Sequence, residues 1–250
     1  MKLQGKIAVI TGASRGIGRG IAEVFAEEGA DVLVNYASNE TEAEETARLV
    51  RSHGRRAVIA RGDVSVRADV EAMFAKAWAE LGPVDVLVNN AGIETIIPFL
   101  EITDEQWTRL VDINLRGPWL CSQVFCKRVL EEKRPASIVQ IGSIQAAKVL
   151  PGRTHYAPTK LGLEAMTRNM AAEMTPQGIR VNCVHPGYIE TDMTMWIRNA
   201  GVRDMVLAQI SMGRSGECRE IGKAVAFFAS EEASYITGQS IHADGGWEGK

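Results

Sequence analysis

Aromatic residues are scarce in this chain, 6% of 250 positions, and no apolar run approaches the ~18–20 residues of a membrane span. Cysteine is sparse too: Cys121, Cys126, Cys183 and Cys218 fall in no CxxC or zinc-finger spacing, so buried, reduced thiols are expected. The histidines, His53, His155, His185 and His242, form no His-Glu-x-x-His pair, and no catalytic metal is expected. Neither sign of charge dominates: the net charge is −3 with acids and bases interspersed, which argues against a nucleic-acid footprint. Met1 to Lys6 enters an apolar run without a signal-peptide pattern, so a cytoplasmic protein is expected. No linker or shift in composition divides the chain, which points to one domain over residues 1–250.

What the chain does contain is a regular alternation. Lys6 to Thr11 is a short apolar run that predicts a buried strand. Gly12-x-x-x-Gly16-x-Gly18 follows, then an amphipathic stretch to Glu28 closed by Gly29, then a second strand over residues 30–35. Strand, Gly-rich turn, helix and strand make the start of a nucleotide-binding βαβ unit, in which backbone amides and a helix N-terminus face a pyrophosphate. Further strands are predicted over 57–60, 84–88, 136–141, 179–184 and 239–242, separated by helices. The box Thr103-Asp-Glu-Gln106 opens a long helical region that Pro118 should disturb and Pro135 should end. Strands alternating with helices predict a parallel sheet covered on both faces. The Met-rich, poorly periodic segment 188–213 stands out as a candidate lid.

Tyr156-Ala-Pro-Thr-Lys160, thirteen residues after Ser143, carries the chemistry. Tyrosine and lysine four apart on a helix share a face. A neighbouring ammonium favours phenolate and brings a phenol of pKa about 10 towards working range. Ser143 is placed to hold the oxygen that exchanges the proton. Pro158 is tolerable only near a helix start, which sets Tyr156 in or before the first turn.

Thr11-Gly-Ala-Ser-Arg-Gly-Ile-Gly18, Asn89-Asn-Ala-Gly92, Asn114, Ser143, Tyr156-x-x-x-Lys160 and Pro186-Gly187 together resemble the short-chain dehydrogenase/reductase family across the whole chain. The resemblance implies a single-domain, doubly wound Rossmann-type α/β fold with a seven-stranded parallel sheet, usually in a homotetramer. It also implies hydride transfer between a nicotinamide cofactor and an alcohol/carbonyl pair on a small-molecule substrate. By the same resemblance Tyr156 is the general acid/base and Ser143 steadies the substrate oxygen. Lys160 would lower the tyrosine pKa and hold the nicotinamide ribose, and Asn114 would support a proton-relay water. The cofactor would lie along Gly12, Ser14, Arg15, Gly16, Ile17 and Gly18. Asp63-Val64 would meet the adenine and Asn90-Ala91-Gly92 the cleft, while Pro186, Gly187, Ile189 and Thr191 would position the carboxamide. One departure concerns Gly142, where the family often has serine.

The second strand ends in Asn35-Tyr36-Ala37-Ser38, with no carboxylate to bind a ribose 2′-hydroxyl. Asn35, Tyr36 and Ser38 are expected beside the cofactor, and with Arg15 and Ser38 able to meet a phosphate NADP(H) is the expected cofactor, with NAD(H) as the lesser one. Asn35-Tyr36, Gly92-Ile-Glu94, His155-Tyr156 and Met212-Gly213 are similar to pieces of bacterial glucose 1-dehydrogenases and other aldose dehydrogenases. Glu94 and His155 flank the expected pocket, and Gln145, two residues past Ser143, would add a hydrogen bond. A sugar or polyol is therefore the first substrate expectation. The rival is a 3-oxoacyl-carrier-protein reductase, which Ile189-Glu-Thr-Asp-Met-Thr194, Ala226-Phe-Phe-Ala229 and Tyr235-Ile-Thr-Gly238 resemble. Against it, Ala172 stands where that group commonly has an arginine for its acidic carrier, leaving Arg128 alone. A non-catalytic cofactor-binding regulator is a third reading, and the joint presence of Ser143, Tyr156 and Lys160 argues against it.

Overall fold

Residues 1–249 are described by the computed structural model. Seven strands lie in one sheet: β1 (Ile7–Ile10), β2 (Asp31–Tyr36), β3 (Ala57–Arg61), β4 (Val86–Asn89), β5 (Ala136–Ile141), β6 (Ile179–Pro186) and β7 (Ser240–Ala243). All pairings are parallel, in the order β3-β2-β1-β4-β5-β6-β7. Every residue of β1, β2 and β4 is buried, which is why their centres read as short apolar runs rather than alternating ones.

The helices are α1 (Gly16–Glu27), α2 (Glu40–Ser52), α3 (Arg67–Glu80), α4 (Asp104–Val111), α5 (Gly117–Glu132), α6 (Ala157–Met174), α7 (Met195–Asn199), α8 (Arg203–Leu207) and α9 (Cys218–Ala229). Ile21 and Phe25 of α1, Val50 of α2 and Phe228 of α9 pack on one face of the sheet. Phe74 of α3, Leu120 and Phe125 of α5 and Leu163-bearing α6, through Ala171, cover the other. Two layers of helices around one parallel sheet is the doubly wound arrangement expected of the sequence. The order of strand addition reverses after β3, which places β4 on the other side of β1, so the C-terminal ends of β1 and β4 flank a crevice at the switch point.

Two local features differ from expectation. Pro118 does not disturb the middle of a helix; it sits in the first turn of α5, where its missing N–H has no partner to lose. The break comes just earlier, as a π-helical turn over Asp112–Arg116 between α4 and α5. The segment 188–213 contains α7 and α8 and has its own small core: Ile144, Tyr188, Ile197, Val206, Ile210 and Trp247. Trp247 thus packs against its own chain. Among the described residues no helix is long and apolar enough to cross a membrane.

Candidate active site

A cleft of about 1030 Å³ opens over the C-terminal ends of the central strands. Its floor begins with the Gly-rich turn, which is fixed by two amide side chains. Asn35 accepts from the Gly12 N–H (3.0 Å) and donates to the carbonyls of Ala60 and Gly62. Asn90 donates to the carbonyls of Thr11 and Gly12 (both 2.9 Å). A Cβ at Gly18 would stand 2.4 Å from the Gly12 carbonyl oxygen, so the close return of α1 on the turn requires glycine there.

The N-terminus of α1 faces this cleft through Gly16, Ile17 and Gly18, with no side-chain cap and no acid in its first turn. By contrast α2 and α4 are capped by Asn39 and Thr103. An uncapped helix start beside a glycine cradle fits a pyrophosphate, and the residues present therefore suit a dinucleotide. All the cofactor-side residues expected from the sequence line this cleft. Asn35 differs in manner: its side chain is buried and wholly used in clamping the turn. Arg15 reaches across the cleft to Asp192 (3.0 Å), an exposed pair that ties the turn to the segment 188–213.

Ser143 stands two residues past Ile141, the last of β5; its Oγ accepts from the Gln145 N–H (3.2 Å), and its hydroxyl favours ionisation of the neighbouring Tyr156 phenol. Tyr156 is the N-cap residue of α6 with Pro158 in the first turn, as the proline position requires. Lys160 is buried one turn on, donating to the Ile141 carbonyl (3.0 Å), with Nζ 5.7 Å from the Tyr156 ring centroid. Burial pushes Lys160 down to about 8. Burial also pushes the Tyr156 phenol up, the Glu94 carboxylate adds to that, and Ser143 and Arg153 pull it back. The lowering expected from Lys160 is therefore not what this arrangement shows. The ammonium lies over the ring and is committed to a backbone carbonyl, not to the phenolic oxygen.

Below Ser143 lies His185, fully buried and stacked on His242 (4.8 Å between ring centroids). Its Nδ1 lies within hydrogen-bond distance of both the Ser143 N–H (3.1 Å) and the Ser143 carbonyl (3.0 Å), and Nε2 faces Cys183 Sγ (3.5 Å). Burial lowers its pKa and favours the neutral ring. A Cβ at residue 142 would lie 2.3 Å from His185 Nδ1, which explains the glycine at that position.

Two expected site residues do not line the cleft. Asn114 is buried in the π-helical turn, where it accepts from the Ile93 N–H and donates to the Ile93 carbonyl, both at 2.8 Å. It holds the loop that follows Asn90-Ala91-Gly92. His155, expected to meet substrate, is fully buried behind the wall and bonds Thr95 Oγ1 (2.6 Å) through Nε2. Glu94 and Gln145 do line the cleft. Glu94 Oε1 accepts from Gln145 Nε2 (2.9 Å) and Arg153 Nε (2.6 Å), and the Arg153 guanidinium lies 4.8 Å from the Trp196 ring centroid. Sequence reading missed Arg153, Trp196 and His185. Arg153 sits in an irregular stretch and Trp196 on the five-residue α7, neither with a periodicity to single it out, and His185 lies near the end of a strand that reads as core.

A phenol, a serine hydroxyl and a buried amine gathered on one cleft wall can exchange a proton and support an oxyanion. Comparison with known proteins agrees with this geometry. A family model described as enoyl-(acyl carrier protein) reductase matches residues 12–248. The 3-oxoacyl-[acyl-carrier-protein] reductase of Escherichia coli is 40% identical over 246 residues, covering 98% of each chain. A short-chain dehydrogenase/reductase from Serratia marcescens superposes with a TM-score of 0.92 at 33% identity, covering 99% of this chain and 100% of that one. A gluconate 5-dehydrogenase from Burkholderia cenocepacia, in complex with NADP and tartrate, does so at 0.93 and 33%, covering 100% and 97%.

Proposed function

The chain belongs to the short-chain dehydrogenase/reductase family, and from that premise we propose that it reduces 3-oxoacyl thioesters with NADPH. That it is an oxidoreductase of an alcohol/carbonyl pair follows from the family. The observation that carries the substrate class is the 40% identity to a 3-oxoacyl-[acyl-carrier-protein] reductase over nearly the full length of both chains. This places the sugar or polyol expectation second. One observation still favours that second reading: the Glu94, Gln145 and Arg153 cluster makes the substrate wall polar.

In this reading Tyr156 delivers the proton to the carbonyl oxygen as it becomes an alkoxide, and Ser143 holds that oxygen. A phenol kept neutral by burial is suited to act as the acid in the reductive direction. His185 fixes the Ser143 backbone, and Lys160 is placed to meet the nicotinamide ribose. Asn114 supports the loop beside it and a proton-relay water. When bound, the nicotinamide supplies the hydride. Gly12, Ser14 and Gly16 to Gly18 cradle the pyrophosphate; Asp63 and Val64 flank the adenine; Pro186, Gly187, Ile189 and Thr191 hold the carboxamide end. Ser38 and Arg15, with no carboxylate over 35–38, support NADP(H) over NAD(H). The segment 188–213 serves as the lid. Exposed Trp107, Trp119, Leu130 and Leu161 on α4, α5 and α6 support assembly into a homotetramer.

The test is absorbance of NADPH against a 3-oxobutyryl N-acetylcysteamine thioester, alongside NADP reduction with gluconate, glucose and other aldoses. Turnover of the thioester with kcat/KM well above that for any polyol is expected. Turnover of polyols alone would overturn the reading.

A further inference from the structure

The wall that faces the substrate holds two buried polar atoms of opposite character with no partner among the described residues: Arg153 Nη2 and Gln145 Oε1. The rest of both side chains is engaged. Arg153 gives Nε to Glu94 and Nη1 to the Pro151 carbonyl (3.0 Å) and is only 4% exposed. Gln145 gives Nε2 to Glu94 Oε1. A carboxylate only accepts, so the amide cannot be turned round: Nε2 must face Glu94 and Oε1 must face away. One guanidinium nitrogen and one amide oxygen are thus left over beside the same carboxylate, on side chains that line the cleft.

We infer that Arg153 and Gln145 read a neutral donor–acceptor group on the substrate, a secondary amide or a hydroxyl, away from the carbon that exchanges hydride. The chemistry selects against the alternatives. An anionic group would meet Arg153 already neutralised by Glu94 and would face the lone pairs of Gln145 Oε1. A second carbonyl satisfies the donor and leaves the acceptor unmatched. A secondary amide offers its C=O to Arg153 Nη2 and its N–H to Gln145 Oε1; a hydroxyl does both through one atom. Gln145 is two residues from Ser143 and donates its own N–H to the Ser143 Oγ, so the reading pair adjoins the reacting oxygen. Trp196 of α7 lies against the guanidinium and covers it, so substrate meets Arg153 as that ring withdraws.

The inference rests on the cleft being the dehydrogenase site and holds for either substrate reading. An amide belongs to the arm of a carrier-type thioester, a hydroxyl to a polyol, and two pairs of substrates separate them. The first is the 3-oxobutyryl N-acetylcysteamine thioester against an S-alkyl thioester of equal length without the amide. The second is gluconate against its deoxy analogues.

Loss of the donor–acceptor group in the operative pair should lower wild-type kcat/KM about tenfold, the scale of one net hydrogen bond. In Gln145→Met and Arg153→Met that ratio should fall to near one. Gln145→Met leaves the Glu94–Arg153 pair in place and so guards against misfolding. A merely structural role would slow both members of a pair equally and preserve the ratio; that result, or wild-type indifference in both pairs, overturns the inference. Discrimination within the gluconate pair, with no turnover of any thioester, would instead sink the proposed function and leave the inference standing.

Discussion

On the cofactor side of the cleft the wall is made of backbone, held from behind by Asn35 and Asn90. On the substrate side it is made of side chains, Glu94, Gln145, Arg153 and Trp196, delivered by three separate segments beyond the ends of β4, β5 and β6. The first wall depends on where glycines permit close approach; the second depends on which functional groups happen to meet. A ligand common to many proteins suits the first construction, and a variable one suits the second. Tyr156 and Ser143 stand where the walls join.

The largest expected effect lies at that junction. Tyr156→Phe removes the proton donor while leaving both walls, so kcat should fall by about 10²–10⁴-fold. NADPH affinity, followed by nicotinamide fluorescence, should change little. Comparable activity in this variant would detach the join from the chemistry.

Smaller in scale is Gly142→Ser, which tests whether the cofactor wall's reliance on glycine extends under Ser143. The added Cβ would lie 2.3 Å from His185 Nδ1, and overpacking of this kind costs about 1–3 kcal/mol. In a urea-denaturation double-mutant cycle, His185→Ala should cancel most of serine's added cost. Additive costs would show that the ring is not what excludes a side chain there.

The third effect, read as a slope against pH, concerns Lys160. Its folded pKa of about 8 lies below the ordinary 10.5, so between those values the unfolded chain binds more protons than the folded one. Stability of the free protein should therefore rise as pH goes from 8 to 10.5, and the penalty of burying the ammonium should be fully present below 8. Thermal melts across that window should show the slope, and Lys160→Met should remove it. An unchanged slope in the variant would assign it to other groups.

Much of the fold was legible because its signals are local. Short apolar runs marked the inner strands, the Gly-rich turn marked the switch point, and Pro158 set Tyr156 at the start of α6. What was not legible arises from pairs distant in sequence. Asn35 looked like a cofactor contact and proves to be a clamp, because only the fold brings Ala60 and Gly62 within its reach. His155 looked like a substrate contact and turns inward to Thr95. Arg153 carried no signal at all: its meaning depends on Glu94, 59 residues earlier, and Trp196, on α7.

Trp196 and Trp247 both line the cleft, and each lies against a cation, Arg153 at 4.8 Å and Lys148 at 5.4 Å. The chain therefore carries its own optical reporter. A ligand that parts either indole from its cation changes that ring's surroundings, and intrinsic emission can follow entry into the cleft without any added label.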